Sequence, residues 1–280
     1  MRKRSLLGGL VAAAAFISMA DTASAIRWGQ PDAGEHPHVG IMVGFFDDAN
    51  GVPQPAFRCS GTLMSPTVFL TAGHCTFEVD HVEIWFQEDV TNQAMTGYPF
   101  EGQASGQAFT HPEYDDDAFF LHDVGVVVLD EPFYGTGGTF GELPEEGYLD
   151  QFFDRARGQN RQLFEVVGYG RQRSMPEPTG LTVADRIRMK ADVRLINNDR
   201  TFGGGGAGNY VVFSNNANTG GTCFGDSGGP AFASTDPSNP EWNTVVAVTS
   251  FGVNSTCSGT GGSYRVDQPD DLEWLGTYGI

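Results

Sequence analysis

The sequence predicts an all-β protein, and three observations support this class. The chain of 280 residues is divided into short runs rich in β-branched and aromatic residues. Gly, Pro, Asn and Asp separate these runs, as expected for turns. Helical periodicity is almost absent outside the C-terminal segment. Short strands at such spacing are typical of barrels and sandwiches.

The predicted strands follow one another along most of the chain. In order they are Val39 to Phe46, Thr67 to Thr71, His81 to Phe86, Val124 to Leu129, Leu163 to Gly168, Met189 to Leu195, Tyr210 to Phe213 and Val245 to Phe251. A helix is predicted only over Asp271 to Tyr278. This segment follows Pro269 and carries Leu272 and Leu275 on one face, so we expect it to pack as a cap.

The N-terminal residues 1 to 25 are predicted to form a secretory signal peptide. Basic residues 2 to 4 precede an apolar run from Leu6 to Ala20, and small residues follow at 23 to 25. The apolar run is short for a membrane span. We therefore expect a secreted, extracellular mature chain, residues 26 to 280, that is not bound to a membrane.

The chain is strongly acidic, with a formal net charge of −19. The predicted signal peptide contains three basic residues and one acidic residue, so its removal leaves about −21. Such a chain repels phosphate groups, and we expect no nucleic-acid partner. Solubility is the simplest consequence of the charge, and a preference for cationic substrates is the alternative.

Four cysteines in an exported chain predict two disulfides. Three pairings are possible, and the spacing favours Cys59 with Cys75 and Cys223 with Cys257. A disulfide that closes a loop like the first stabilises a protein by about 3 kcal/mol in the chain-entropy account. A metal site is the alternative, but the sequence has no paired CxxC motif. We predict no metal and no cofactor.

Three segments of unusual composition are interpreted as loops. Between Phe133 and Gln162 the β pattern weakens, which suggests a connection between two lobes, about 26 to 135 and about 136 to 280. Gly203 to Gly206 lacks the strand, the lysine and the helix of a phosphate-binding loop. Asp115 to Asp117 offer oxygen ligands for calcium, but consecutive carboxylates repel one another and the ligand spacing of a calcium loop is missing.

The most informative segment is Gly225 to Pro230, in which glycines surround Ser227. Glycine lets backbone amides approach closely, as a nucleophilic serine with an oxyanion site requires. Alone, the segment is equally typical of a turn. Candidate partners are His74, which follows an apolar strand, and Asp123, which precedes the apolar run Gly125 to Leu129. A buried carboxylate there needs a donor such as an imidazole N–H.

Three motifs in this order resemble those of the trypsin/chymotrypsin family of serine peptidases. The resemblance extends over residues 26 to 280 and implies two six-stranded antiparallel β-barrels with a short C-terminal helix. It also implies a monomeric, secreted serine endopeptidase that acts on proteins or peptides. The motifs are Thr71-Ala72-Gly73-His74-Cys75, His122-Asp123-Val124-Gly125 and Gly225-Asp226-Ser227-Gly228-Gly229-Pro230.

The same resemblance implies a role for each residue of the site. Ser227 would attack the substrate, His74 would act as base and then as acid, and Asp123 would orient His74. The backbone amides of Gly225 and Ser227 would form the oxyanion hole.

The resemblance also implies how substrate is held. Ser250, Phe251 and Gly252 would form the strand that pairs with substrate. Gly221 would lie at the floor of the primary specificity pocket, with Gly252 and Gly262 on its walls. The floor carries no charge, so we expect bulky apolar or aromatic side chains before the scissile bond rather than Arg or Lys. The segment around Gly262 is one residue shorter than the common pattern.

In most family members, proteolysis frees an Ile-Val-Gly-Gly terminus whose ammonium pairs with the Asp before the catalytic serine. Here Ile26-Arg27-Trp28-Gly29 follows Ala25 directly. We hypothesise that removal of the signal peptide itself frees the Ile26 ammonium to pair with Asp226, without a propeptide. Arg27 and Trp28 depart from the usual Val-Gly.

Two other functions are compatible with parts of this pattern. A catalytically silent binding protein could use the same scaffold, but such relatives normally lose a triad residue and this chain keeps all three. An esterase could share the acyl-enzyme chemistry, and Gly225 to Gly229 fit the G-x-S-x-G pattern. The order of the partners and the lack of alternating helices argue against an esterase fold.

Overall fold

The computed structural model describes residues 26–153, 162–173, 183–198 and 208–280. The predicted signal peptide and the run Gly203 to Gly206 lie outside the described residues. The described elements include thirteen strands, β1 to β13, and two short helices, α1 and α2. In this part of the chain, no helix has the length and apolar character needed to span a bilayer.

Six strands close into the first barrel in the order β2-β3-β4-β7-β6-β5. All neighbouring strands are antiparallel, and β2 pairs with both β3 and β5, which closes the ring. Its interior is filled by aliphatic and aromatic side chains from every strand. The strands are β2 (Val39–Asp47), β3 (Pro53–Ser65), β4 (Val68–Thr71), β5 (His81–Trp85), β6 (Ala104–Thr110) and β7 (Gly125–Leu129).

A second set of six antiparallel strands closes because β8 pairs with both β9 and β11. A further short strand, β1 (Gln30–Pro31), adds to the outside of β9. The barrel strands are β8 (Leu163–Gly168), β9 (Met189–Asn198), β10 (Tyr210–Asn215), β11 (Pro230–Phe232), β12 (Val245–Gly252) and β13 (Gly259–Arg265).

The helices are short and lie outside the barrels. Helix α1 (Gln93–Thr96) follows β5, and α2 (Pro269–Gly276) follows β13. Leu275 of α2 is buried in a hydrophobic cluster that contains residues of both barrels. The two six-stranded barrels and the C-terminal helix confirm the predicted fold, although the helix begins and ends two residues before the predicted limits.

Both disulfides join the pairs that the spacing favoured. Cys59 of β3 is bonded to Cys75 in the turn after β4. Cys223 is bonded to Cys257, across the loops that precede β11 and β13. The first bond fixes the turn that carries His74, and the second fixes the loop that leads to Ser227.

A buried network of charged side chains connects the N-terminal segment to the second barrel. His36 Nδ1 lies 2.6 Å from Asp32 Oδ1, and Arg188 Nε donates to Asp32 Oδ2 over 2.8 Å. Lys190 Nζ lies 2.8 Å from Glu165 Oε1. All five residues are buried, so each charge depends on its partner, because an unpaired buried charge is strongly destabilising.

His38 lies beside this network without a partner of its own. Its ring is buried, and neither ring nitrogen has a hydrogen-bond partner within the described residues. Burial, followed by the positive charges of His36 and Arg188, lowers the pKa of His38 to about 3. The folded protein therefore keeps His38 neutral, whereas the unfolded chain binds a proton near pH 6.5.

Replacing His38 with Phe is expected to stabilise the protein at pH 5 by about 1–3 kcal/mol, because it removes unsatisfied buried nitrogens. The wild-type His38 destabilises the fold increasingly as the pH falls below about 6.5, so the gain should be larger at pH 5 than at pH 7. Urea unfolding at pH 5 and pH 7 measures this change in the free energy of unfolding. His81→Phe is the control, since His81 is half-buried and lies 2.7 Å from Glu83. An equal effect of His38→Phe at both pH values would contradict the titration argument.

Candidate active site

Strand pairing brings the three candidate triad residues to the junction of the barrels. β4 pairs with β7 so that Thr71 lies opposite Gly125. The turn after β4, which carries His74, therefore meets the segment before β7, which carries Asp123. The loop of Ser227 packs against the same place, because a Cβ atom at Gly228 would overlap Thr71 Oγ1. Gly228 has a φ of 75°, which also favours glycine.

His74 and Asp123 are firmly coupled. Nδ1 of His74 lies 3.0 Å from each carboxylate oxygen of Asp123, and the His74 backbone N–H donates to Oδ1 over 2.8 Å. The Ser250 hydroxyl donates to Oδ2. Asp123 is fully buried, whereas the His74 side chain is 28% exposed. This arrangement favours a proton on Nδ1 and leaves Nε2 to accept one.

The electrostatics of His74 suit a general base. Burial disfavours the charged imidazolium, but the charge and the hydrogen bond of Asp123 outweigh it, and Asp116 adds to them, so the pKa of His74 is raised. An imidazole with a raised pKa accepts a proton more readily near neutral pH.

Ser227 lines a cavity but forms no hydrogen bond with His74 in the described part of the chain. Its carbonyl oxygen accepts the Ser60 N–H over 2.7 Å, which anchors the loop to β3. Hydrogen bonds between a nucleophile and its base are often long without substrate and shorten in the complex. The structure thus couples His74 with Asp123 and places Ser227 in the neighbouring cavity.

The backbone around Ser227 offers free donors. Within the described residues, the N–H groups of Gly225 and Ser227 donate to no protein acceptor. Gly225 has a φ of 97°, and its carbonyl oxygen accepts the Ser60 hydroxyl over 3.0 Å. Two neighbouring amides without protein partners can stabilise an oxyanion.

The cavity beside Ser227 has a volume of about 240 Å³ and no acidic side chain in its lining. Ser250, Phe251 and Gly252, which the sequence assigned to substrate binding, lie in the lining. Gly221 and Gly262 do not. The full lining consists of Thr222, Cys223, Phe224, Ser227, Thr249, Ser250, Phe251, Gly252 and Cys257.

Gly262, which the sequence assigned to the wall of the pocket, is separated from the cavity by another side chain. A register shift in the pairing of β12 with β13 places Phe251 opposite Gly262 and Gly252 opposite Gly261. The Phe251 ring covers the face of Gly262 where a side chain would lie. A Cβ atom at Gly261 would instead lie 3.1 Å from Thr222 Oγ1, next to the cavity.

The floor position assigned to Gly221 is also filled. A Cβ atom at Gly221 would overlap the side chain of Asn215, which is buried at the end of β10. Asn215 Nδ2 donates to the Thr222 carbonyl over 2.6 Å. Its Oδ1 has no hydrogen-bond partner among the described residues. Asn215 therefore fills the space on the side-chain face of Gly221, and neither residue belongs to the lining of the cavity.

The N-terminal segment packs into the second barrel and pairs with Gly221. Ile26 is fully buried in the core of the second barrel. Arg27 exchanges backbone hydrogen bonds of 2.8 and 3.0 Å with Gly221. Trp28 has a φ of 54°, a conformation in which glycine would be unstrained. The Arg27 guanidinium lies 4.0 Å from the Trp28 ring centre.

Asp226 is fully buried and accepts two backbone N–H groups, from Gly170 over 2.7 Å and from Cys223 over 2.8 Å. No described side chain forms an ion pair with it. Burial raises the pKa of Asp226 to about 7, and the two amides and the distant Arg58 offset this only in part.

Two possible metal-binding groups near the site can be assessed. Cys59 and Cys75 lie close to His74, but both sulfurs are disulfide-bonded and cannot act as thiolates. Asp115, Asp116 and Asp117 form no group of three converging ligands in the described residues. Instead, Asp115 accepts the Asp117 N–H over 3.0 Å and caps a 3₁₀ turn.

Comparison with known proteins identifies related sequences and folds. A family model described as Trypsin matches residues 26–270. The structure of HL collagenase is similar, with a TM-score of 0.66, 20% identity, and coverage of 91% of this chain and 99% of that chain. Human heparin binding protein is also similar, with a TM-score of 0.61, 18% identity, and coverage of 90% and 96%. These identities show a shared fold.

Proposed function

Because the chain belongs to the trypsin family of serine peptidases, we propose that Ser227, His74 and Asp123 are the catalytic triad of this endopeptidase. The observation that best supports this assignment is the contact of the buried Asp123 with His74. Nδ1 of His74 lies 3.0 Å from the Asp123 carboxylate, beside the cavity that Ser227 lines. The substrates of such an enzyme are proteins or peptides.

In the proposed mechanism, Ser227 Oγ attacks the scissile carbonyl and its proton passes to His74 Nε2. Asp123 stabilises the resulting imidazolium. The free N–H groups of Gly225 and Ser227 bind the oxyanion, where each donor contributes about 3–4 kcal/mol. His74 then protonates the leaving amine. In the second half of the reaction, His74 takes a proton from a water molecule that attacks the acyl-enzyme, and then returns a proton to Ser227 Oγ.

The uncharged cavity supports cleavage after bulky apolar or aromatic side chains. The lining offers no carboxylate to pair with Arg or Lys. Asn215 fills the space beside Gly221, the residue assigned to the floor, so we expect side chains of the size of Leu or Phe to be favoured over longer ones. The exposed Phe119 and the half-buried Phe251 extend an aromatic surface from the cavity, with ring centres 5.7 Å apart.

Asn215 should determine whether a charge can be introduced into the pocket. Gly221→Asp alone is expected not to give cleavage after Arg, because the new side chain would overlap Asn215. Gly221→Asp combined with Asn215→Gly should raise kcat/KM for Arg substrates by about 100-fold over the single variant. Peptide libraries measure this, with Asn215→Gly as control. Strong Arg cleavage by Gly221→Asp alone would contradict the assignment.

Secretion and activation are part of the same proposal. The buried Ile26, the pairing of Arg27 with Gly221 and the unpaired, buried Asp226 all support insertion of a new N-terminus. Signal-peptide removal after Ala25 would supply its ammonium without a propeptide, and the mature enzyme would act outside the cell.

A serine-directed phosphonate tests the function. We expect one label per secreted chain, on Ser227, and none in Ser227→Ala. Ser105→Ala is a matched control, because Ser105 is bonded to Asp130 on the surface and should not affect labelling. Absence of labelling in the wild type would indicate a silent binding protein instead. Labelling with ester hydrolysis but no protein hydrolysis would indicate an esterase.

A further inference from the structure

A second cluster of histidine and carboxylate side chains lies between the Asp123 segment and the C-terminal helix. His111 follows β6, His122 precedes Asp123, and Asp271 is in the first turn of α2. Asp271 is fully buried, His111 is nearly so, and His122 is 19% exposed. The two imidazole rings are stacked, with centres 4.8 Å apart. The triad does not use any of these groups.

The donor atoms of this cluster have the spacing of metal ligands. Asp271 Oδ1 lies 3.7 Å from His111 Nε2 and 3.7 Å from His122 Nδ1. Both separations are too long for hydrogen bonds. Zinc bonds of about 2.0–2.1 Å in a tetrahedron separate ligand atoms by about 3.3 Å. The three atoms lie within 4.8 Å of one another, so a rotation of the two rings together with a shortening of these separations would bring the atoms into zinc coordination.

Two of these atoms are buried without a partner. Within the described residues, neither His122 Nδ1 nor Asp271 Oδ1 has a hydrogen bond. Glu113 Oε2 lies 3.3 Å from His122 Nε2 and favours a proton on that nitrogen, so the lone pair of Nδ1 faces the carboxylate. Two acceptors that face each other repel unless a cation lies between them.

The surroundings already orient the ligands. The Tyr264 hydroxyl donates to the other oxygen of Asp271, Oδ2, over 2.7 Å, and Glu113 Oε2 lies 3.3 Å from His122 Nε2. Such outer contacts are usual around metal-binding carboxylates and histidines. His122 also has a φ of 49°, an uncommon conformation for this residue type, next to Asp123.

We propose that His111 Nε2, His122 Nδ1 and Asp271 Oδ1 bind one Zn²⁺ ion. Imidazole and carboxylate donors suit this ion. Asp270, whose Oδ2 lies 3.7 Å from His122 Nδ1, or a water completes the tetrahedron. Zinc at His111 places the proton on Nδ1 and gives up the long hydrogen bond of 3.2 Å from the Glu113 amide.

The ion would have a structural role. It would fasten α2 to the segment that carries Asp123, and would hold His122 in its left-handed conformation. Zinc that binds only the folded state raises the melting temperature, and the rise increases with the zinc concentration. This proposal does not depend on the proposed peptidase activity.

Titration of the secreted, metal-stripped chain with Zn²⁺ tests the proposal by calorimetry and thermal unfolding. We expect one ion per chain and a higher melting temperature. His111→Ala and His122→Ala should each weaken binding by about 100-fold or more, because loss of an outer partner of a ligand already costs about 10–100-fold. His81→Ala is the matched control, because His81 also pairs with a carboxylate, Glu83, but at a distance from this cluster.

A second measurement uses only the wild-type chain, so misfolding of a variant cannot affect its result. Zn²⁺ should protect the partly exposed His122, but not His81, from diethylpyrocarbonate in the wild-type chain, as mapped by peptide mass. Absence of zinc binding would overturn the proposal. Binding that persists in both histidine variants, or that His81→Ala abolishes, would overturn it as well.

Discussion

Replacing Asp123 with Asn is expected to lower kcat for peptide hydrolysis by about 10⁴-fold, the effect known for this carboxylate in the family, with little change in KM. Asp123 accepts from the backbone and the ring of His74 and from Ser250. An amide of the same shape can donate to Nδ1, which places the imidazole proton on Nε2. His74 then faces Ser227 with a donor and cannot take its proton.

The same substitution should change the pH profile. The charge and hydrogen bond of Asp123 raise the pKa of His74 against the effect of burial. Without that charge the pKa of His74 falls, so the acid limb of kcat/KM should move to lower pH in Asp123→Asn. Initial rates measured from pH 4 to pH 9 would show both the loss and the shift.

Asp130→Asn is the control for this prediction. Asp130 follows β7, as Asp123 precedes it, but it is exposed and bonded to Ser105. Its loss should leave kcat and the pH profile unchanged. Retention of more than a tenth of wild-type kcat by a folded Asp123→Asn variant would remove Asp123 from the proposed triad.

The three candidate triad residues could be predicted from the sequence because each lies in a short segment that indicates its chemical role. Ser227 is surrounded by glycines that permit close backbone approach, and His74 adjoins a disulfide cysteine. Asp123 precedes an alternation-free apolar run that becomes the buried strand β7. A few adjacent residues are enough to identify each of these features. The fold class and the candidate triad could therefore be predicted from short motifs.

Other elements depend on partners that are distant in the sequence. β13 has a glycine-rich sequence without a strand pattern, and its pairing with β10 and β12 makes it a strand. β3 begins with Pro53 and Pro55 in an exposed part, where proline is tolerated. These strands are set by tertiary pairing rather than by propensity.

The pocket residues predicted from the sequence differ from those in the structure because tertiary pairing decides which residues face the cavity. The bulge between Thr249 and Phe251 shifts the register of β12, so Phe251 lies opposite Gly262 and its ring covers that residue. Asn215, the last residue of β10, contacts Gly221 through the tertiary fold and not through a local sequence pattern. The zinc cluster combines residues from three separate segments, and its histidines follow no metal-binding spacing in the sequence.

A chain that keeps Ala25 before Ile26 is expected to have a kcat/KM about 10²–10³-fold lower than the chain that begins at Ile26. This is the usual cost of losing one oxyanion donor. Asp226 adjoins both proposed oxyanion amides, and it is buried without an ion pair among the described residues. An extra residue moves the ammonium away from this carboxylate and leaves a peptide nitrogen in its place.

The pH dependence of stability should separate the two forms. In the chain whose Ile26 nitrogen is a peptide nitrogen, burial raises the pKa of Asp226 to about 7. The folded state then holds a proton that the unfolded chain releases near pH 4, so this contribution to stability is complete below about pH 4 and is lost as the pH rises through about 7. The extended chain should therefore lose stability relative to the Ile26 form over this range.

Asp226→Asn provides the decisive control, because it removes the acceptor of the ammonium. In that background the chains with and without Ala25 should have equal, low activity and equal pH dependence of melting. N-terminal sequencing of the secreted protein is the companion measurement. A mature chain that starts elsewhere, or extended and native chains of equal activity, would exclude activation by signal-peptide removal. A difference that disappears in Asp226→Asn would assign the effect to the pairing of the Ile26 ammonium with this buried carboxylate.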